Sequence, residues 1–192
     1  GNGTDSLDGQ AGNDRYSITF LGGTRSALID VQDTGPDPDS DVLSVTGTAF
    51  DDHFLLRANT TAPNGLAFVA NINGDSDAER INYDGVERML VTGSLGNDQF
   101  AVDDVLTETT LDGGLGHDTF QVGQLYKSER NQIQANLGDE RDEFEPTIPT
   151  TRGFLSNGIS RPMTISGGPG NDNFVVFHNK AVLTLNGEEG DD

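Results

Sequence analysis

Residues Thr110 to Val122 read TLDGGLGHDTFQV, and the reading of this stretch decides the fold. An apolar residue (Leu111) leads into a glycine turn (Gly113, Gly114, Gly116), then one aspartate (Asp118), then two apolar residues two apart (Phe120, Val122). The same order recurs at Ile165 to Val176 (ISGGPGNDNFVV). Shorter or altered copies stand at Leu7 to Ile18 (LDGQAGNDRYSI), Val45 to Leu56 (VTGTAFDDHFLL), Val91 to Val102 (VTGSLGNDQFAV) and Leu185 to Asp192 (LNGEEGDD). A turn repeated along a chain, with apolar residues at fixed distances on each side, predicts stacked coils that bury those residues against one another. Asp98 and Asp118 are 20 residues apart, as are Asp172 and Asp192, which sets the minimal coil. Wider intervals from Asp14 to Asp52, Asp52 to Asp98 and Asp118 to Asp172 mark inserted residues.

Short runs rich in Val, Leu, Ile and Phe fill the intervals. Tyr16, Ile18 and Phe20 alternate with Ser17 and Thr19, as a half-buried strand does. Ala27 to Val31, Val42 to Thr46, Leu66 to Ile72, Ile81 to Tyr83, Val86 to Thr92, Phe100 to Val102 and Thr109 to Leu111 read as further strands. Pro36 and Pro38 take residues 33–41 out of any strand, and Asp84-Gly85 marks a turn. No segment sustains a 3.6-residue period; residues 123–163 offer strand positions at Leu125, Tyr126, Ile133 and Leu137, a worn turn at Gly138 to Glu145, an excursion at Pro146 to Pro149 and at most a single helical turn at Lys127 to Gln134. The expectation is an all-β chain, a right-handed parallel β-solenoid (β-helix or β-roll) with coils of about twenty residues and longer inserted coils, strands stacking ~4.8 Å apart. It treats 1–192 as one continuous solenoid segment cut within a repeat at both ends, with 123–163 an irregular coil carrying an insertion.

Composition narrows the function. Thirty-two acidic residues against 11 basic give a net charge of −21, which disfavours nucleic acid and anionic membrane surfaces and favours cations. With no cysteine, a metal ion is the natural staple for a thin extracellular fold. No apolar stretch approaches the ~18 residues of a membrane-spanning helix, so no membrane insertion is expected.

Stacked coils also stack their aspartates. Two unit charges ~4.8 Å apart repel by roughly 1 kcal/mol in water and ~3.5 kcal/mol at an effective dielectric of 20. A divalent cation between successive turns reverses the sign of each term. Calcium suits such a place because it accepts six to eight oxygens in loose geometry. Gly-Asn-Asp is also sound turn chemistry in its own right. Asp37, Asp39 and Asp41, and likewise Asp75, Asp77 and Glu79, have the alternate spacing of a calcium loop's start without its glycine and closing glutamate, and read as solvated acidic loops.

Gly113 to Gln121 (GGLGHDTFQ) and Gly167 to Val175 (GGPGNDNFV) resemble the haemolysin-type, or RTX, calcium-binding nonapeptide, G-G-x-G-x-D-x-U-x; GNGTDSLD and GQAGNDRYS at the N-terminus resemble two tandem copies. Most coils carry one such turn, which implies a single column of sites. The resemblance implies several calcium ions. The side-chain ligands would be the aspartates at the motif's sixth place: Asp5, Asp14, Asp52, Asp98, Asp118, Asp172 and Asp192. Turn carbonyls such as those of Gly113, Gly116, Gly167 and Gly170 would complete the sites, with Asn97 and Asn171 beside them. It further implies a structural or adhesive segment of a large secreted or cell-surface bacterial protein, joined end to end to neighbouring repeats or chains, its surface or matrix ligand open. The alternatives are a non-catalytic module of a secreted hydrolase or toxin, and a carbohydrate-active parallel β-helix. Catalysis is not expected: His53 and His117 sit in repeated turns, His178 has no evident partner, and there is no tryptophan to stack on sugar.

Overall fold

The computed structural model of the chain describes residues 3–35, 40–59, 66–72, 78–123, 148–150, 153–156 and 158–192. Among these, sixteen strands form and no helix does. They are β1 (Thr4–Leu7), β2 (Arg15–Thr19), β3 (Ala27–Gln32), β4 (Val42–Thr46), β5 (His53–Asn59), β6 (Leu66–Ile72), β7 (Ala78–Asp84) and β8 (Arg88–Leu95). There follow β9 (Gln99–Val102), β10 (Glu108–Leu115), β11 (Thr119–Val122), β12 (Ile148–Thr150), β13 (Gly153–Leu155), β14 (Met163–Pro169), β15 (Asn173–Val176) and β16 (Leu183–Glu189). The helical turn read at Lys127 to Gln134, the worn turn at Gly138 to Glu145, and the acidic positions Asp37, Asp39, Asp75 and Asp77 lie outside the described residues.

The strands make two large sheets. One is six-stranded in the order β16-β14-β10-β8-β4-β2, and each of its pairs is parallel. The other is eight-stranded in the order β1-β3-β7-β6-β5-β9-β11-β15. A third, two-stranded sheet pairs β12 with β13 antiparallel. From β1 to β11 the chain passes back and forth between the large sheets, except where β5, β6 and β7 follow one another in the same sheet.

That exception overturns the expected right-handed parallel β-solenoid. The all-strand class stands, but β6 runs antiparallel to both β5 and β7, so the eight-stranded sheet is mixed. The reason lies in connection length. Residues 60–65 join β5 to β6 and residues 73–77 join β6 to β7. A parallel return needs a crossover of a dozen residues or more, whereas antiparallel neighbours need only a few. The wide Asp52 to Asp98 interval is therefore an antiparallel meander within the sheet, and no longer coil.

Both sheets feed one apolar cluster. The six-stranded sheet contributes Leu43, Val45, Met89, Val91, Leu111 and Ile165, and the eight-stranded sheet Phe54, Leu56, Ile81, Phe100, Val102, Phe120 and Val122. Period-two alternation explains the sorting: β10 buries Thr109, Leu111 and Gly113 and turns Thr110 and Asp112 outward. In-register pairing stacks the repeat's phenylalanines. Ring centroids are 4.6 Å apart for Phe54 and Phe100, 4.8 Å for Phe100 and Phe120, and 5.2 Å for Phe120 and Phe174, with interplanar angles of 8°, 14° and 10°. Each ring follows a turn aspartate by two residues, so the apolar stack and the acidic turns share one register.

Phe120→Ala removes the middle of this stack and is expected to cost ~3–5 kcal/mol of folding stability. Thr184→Ala, on the exposed face of β16, is expected to change it by about 0.5 kcal/mol or less. Chemical denaturation of the two variants beside the parent chain checks both values.

Candidate metal centre

Turns at β4–β5, β8–β9, β10–β11 and β14–β15 carry the chain from the six-stranded to the eight-stranded sheet. Their aspartates form a ladder. The backbone N–H of Asp52 donates to Asp98 Oδ1 (2.8 Å), that of Asp98 to Asp118 Oδ1 (2.7 Å), that of Asp118 to Asp172 Oδ1 (2.8 Å), and that of Asp172 to Asp192 Oδ1 (2.8 Å). Beside it runs a second ladder of opposite polarity. Asn97 N–H donates to Asp51 Oδ1 (2.8 Å), His117 N–H to Asn97 Oδ1 (2.9 Å), Asn171 N–H to His117 Nδ1 (2.8 Å) and Asp191 N–H to Asn171 Oδ1 (3.1 Å). Successive turns are thus tied by side chains reaching in both directions.

The main ladder is buried. Asp98 is 0 % exposed, Asp118 1 % and Asp172 5 %. In each, Oδ1 takes the neighbouring N–H while the buried Oδ2 has no hydrogen-bond partner. Oδ2 of Asp118 lies over the Cα of Gly113, where any Cβ would overlap it, and Asp98 and Asp172 stand in the same relation to Gly93 and Gly167. The leading glycine of the repeat is required for this close approach. The fourth place is a glycine for its backbone: Gly116, Gly170 and Gly190 have positive φ.

A buried carboxylate oxygen without a donor is costly, and the ionisation equilibria register it. Burial pushes the Asp98 carboxyl up to about 7, with Asp118, Asp52 and Asp51 adding repulsion and the Asp52 N–H opposing. Burial likewise raises Asp118 to about 6, and raises Asp172. Positive charge, from a proton or a cation, would relieve such oxygens directly. Oxygen is the only ligand atom these carboxylates offer, the kind that hard cations such as calcium and magnesium take.

The opposite crossings, from the eight-stranded to the six-stranded sheet, hold a separate set. Asp14 N–H donates to Asp41 Oδ1 (2.6 Å) and Asp41 N–H to Glu87 Oε2 (2.7 Å). Asp14, Asp33 and Asp41 each bring an oxygen within 4.8 Å of the others. Tyr16 Oη donates to Asp33 Oδ2 (2.8 Å) while accepting from Gly9 N–H (2.7 Å). Burial and the Asp33 hydrogen bond hold this phenol up at about 12.

Of the sequence-derived residues, Asp52, Asp98, Asp118, Asp172 and Asp192 come together in one ladder, with Asn97 and Asn171 in the ladder beside it. Gly113 and Gly167 lie under the carboxylates of Asp118 and Asp172, and Gly116 and Gly170 form the turns. Asp14 belongs to the other crossing, and Asp5 is exposed on β1, paired with Ile29 of β3. Glu87 was missed, and Asp41, read as part of a solvated acidic loop, is buried at 3 % exposure. Each stands immediately before an in-register strand of the six-stranded sheet, as Asp14 does, and that shared offset was the available signal. Arg57 and Asp103 form an ion pair at 3.6 Å, fully buried on both sides. His178 Nδ1 lies 3.1 Å from the Ser156 carbonyl.

No family model, curated protein or solved structure matches this chain.

The raised carboxyls set a sign for pH dependence. The folded chain keeps protons at Asp98 and Asp118 that the unfolded chain, at 3.8, has already released. Cation-free stability is therefore highest below that lower value, falls as pH rises through the window up to about 7, and is lowest above it. Thermal melts in EDTA across this range are expected to show a falling midpoint, and Asp98→Asn is expected to flatten the upper part of the profile.

Proposed function

We propose that this chain is a calcium-binding structural or adhesive repeat segment of a large extracellular or cell-surface bacterial protein, of the kind that the haemolysin-type nonapeptides resemble. The observation that carries the reading is the row of buried Oδ2 atoms of Asp98, Asp118 and Asp172, each without a hydrogen-bond partner. Those oxygens would hold the ions, with carbonyls of the glycine turns as further ligands. A bound cation supplies the countercharge that the ladder lacks. Calcium binding then adds directly to folding free energy, so the segment is weak where calcium is scarce and firm where it is millimolar.

The last strands favour neighbouring repeats as partners. Leu185 is 42 % exposed and Val176 44 %, although their in-register counterparts Ile165 and Val122 are buried. Among the described residues, β15 and β16 each pair on one side only. A further coil, of the same polypeptide or of a second chain, fits this face, and the reading includes such end-to-end contact.

Circular dichroism and melting in EDTA and then in millimolar calcium test the core of the proposal. Calcium is expected to raise the midpoint strongly and magnesium to substitute poorly, since magnesium demands near-ideal octahedral geometry and dehydrates reluctantly. Asp118→Ala is expected to weaken calcium binding and calcium-dependent stability together. Identical melts in EDTA and calcium would remove the reading. Light scattering at rising calcium reads the end-to-end contact as growth in mass.

A further inference from the structure

We infer that the aspartate ladder is closed at Asp52 without a cation, Thr48 and Asn71 supplying there the donors in place of the cation that Asp98, Asp118 and Asp172 would each take. The inference rests on the calcium reading above and concerns where the demand for calcium begins.

Two independent observations carry it. The first is hydrogen bonding. Asp52 Oδ2 accepts the Thr48 backbone N–H at 2.6 Å, and Oδ1 accepts the Asn71 Nδ2 amide at 2.6 Å and the Thr48 hydroxyl at 3.1 Å. Both oxygens of this buried carboxylate are therefore served by protein donors, whereas Oδ2 of the next three aspartates has none. Asn71 is itself fixed, since its Oδ1 accepts the His53 N–H at 3.2 Å, and it is 1 % exposed.

The second observation is the backbone of the turn. In the other turns of this ladder the residue after the first glycine has positive φ: Ser94 90°, Gly114 93°, Gly168 97° and Glu188 75°. So do the glycines two places later, Gly96, Gly116, Gly170 and Gly190. Thr48 and Phe50 occupy the matching places, and neither has positive φ. A β-branched residue and a bulky aromatic strongly avoid that region. The turn instead closes on the Thr48 hydroxyl, which accepts the Phe50 N–H at 3.1 Å. It is a differently built turn, and its Thr48 N–H reaches the oxygen that is left bare elsewhere.

Position in the sheet explains Asn71. Within the ladder, the N–H of the preceding turn's aspartate fills Oδ1. The crossing before Asp52, between β2 and β3, carries no aspartate to donate in this way; instead β5 pairs antiparallel with β6, and that register sets Asn71 opposite Phe54. The strand that breaks the parallel order thus delivers the amide that ends the ladder.

The test compares bound calcium per chain, by equilibrium dialysis, with melting in EDTA for the parent chain, Asp52→Asn, Asp118→Asn and Asn71→Asp. Asp52→Asn is expected to bind as many ions as the parent and Asp118→Asn at least one fewer. Asn71→Asp replaces the amide donor by a second carboxylate. It is expected to lower the EDTA midpoint and to gain a calcium-dependent rise larger than the parent's, with one more ion bound. Loss of ions in Asp52→Asn to the same extent as in Asp118→Asn overturns the inference and leaves the calcium reading standing. A parent chain that binds no calcium overturns both. Should Asp52→Asn fail to fold, Asn71→Asp decides: an unchanged EDTA midpoint with no added ion overturns the cap.

Discussion

A hydrogen bond from the backbone of one turn to the carboxylate of the next is the interaction on which the stacked turns depend. It is made four times in series, from Asp52 to Asp192. A bond to a charged acceptor is worth ~1.5–3 kcal/mol. Set against it are the desolvation of each carboxylate and the repulsion between neighbours, ~3.5 kcal/mol per pair at the spacing of stacked strands and an effective dielectric of 20. The balance lies with the unfavourable terms, which is why the carboxyls of Asp98 and Asp118 hold their protons to about 7 and about 6. Two remedies exist for such a ladder. A proton serves in acid, and a divalent cation serves at neutral pH without giving up the carboxylate's charge.

The apolar side of the same turns makes the arrangement rigid. Two residues beyond each aspartate a phenylalanine enters the stack from Phe54 to Phe174, and those rings pair strand by strand. A carboxylate in this chain cannot retreat from its neighbour without dragging a ring out of register. Offset stacking adds ~0.5–1.5 kcal/mol per pair to the burial of each ring. The core therefore holds the acids together against their repulsion, and any countercharge they acquire is returned to the core as stability.

Much of this was legible in the sequence because it is local. The turn, its aspartate and the phenylalanine two residues on lie within one short stretch, and the twenty-residue interval between Asp98 and Asp118 announces their stacking. Strand directions were not legible. Leu66 to Ile72 reads as a strand from its own residues, but its antiparallel course follows from the lengths of the connections around it and from its partners. The same limit hid the Asn71 contact with Asp52, made between a strand residue and a turn residue 19 apart. Asp41 looked like a loop acid and Glu87 like part of a strand, since nothing local says that they serve the N–H groups of Asp14 and Asp41. Phe50 was legible as a departure from the repeat, though its consequence required the backbone: without positive φ at residues 48 and 50, the turn must close by another route.

The departures from the repeat therefore cluster for a physical reason. Asp52 lies where the parallel ladder meets the antiparallel meander, and the crossing before it, between β2 and β3, carries no aspartate, so its turn is followed but not preceded in the ladder. An aspartate in that position keeps half of the ladder's bonding and would leave its Oδ1 bare. The chain answers at both oxygens, with an amide from the meander and an N–H from a rebuilt turn. At the other extreme, Asp192 has a preceding turn whose N–H it accepts and is exposed on its far side. The ladder is thus polar: one end is closed by side chains of this chain, and the other presents an aspartate N–H, a half-covered ring at Phe174 and an open Leu185.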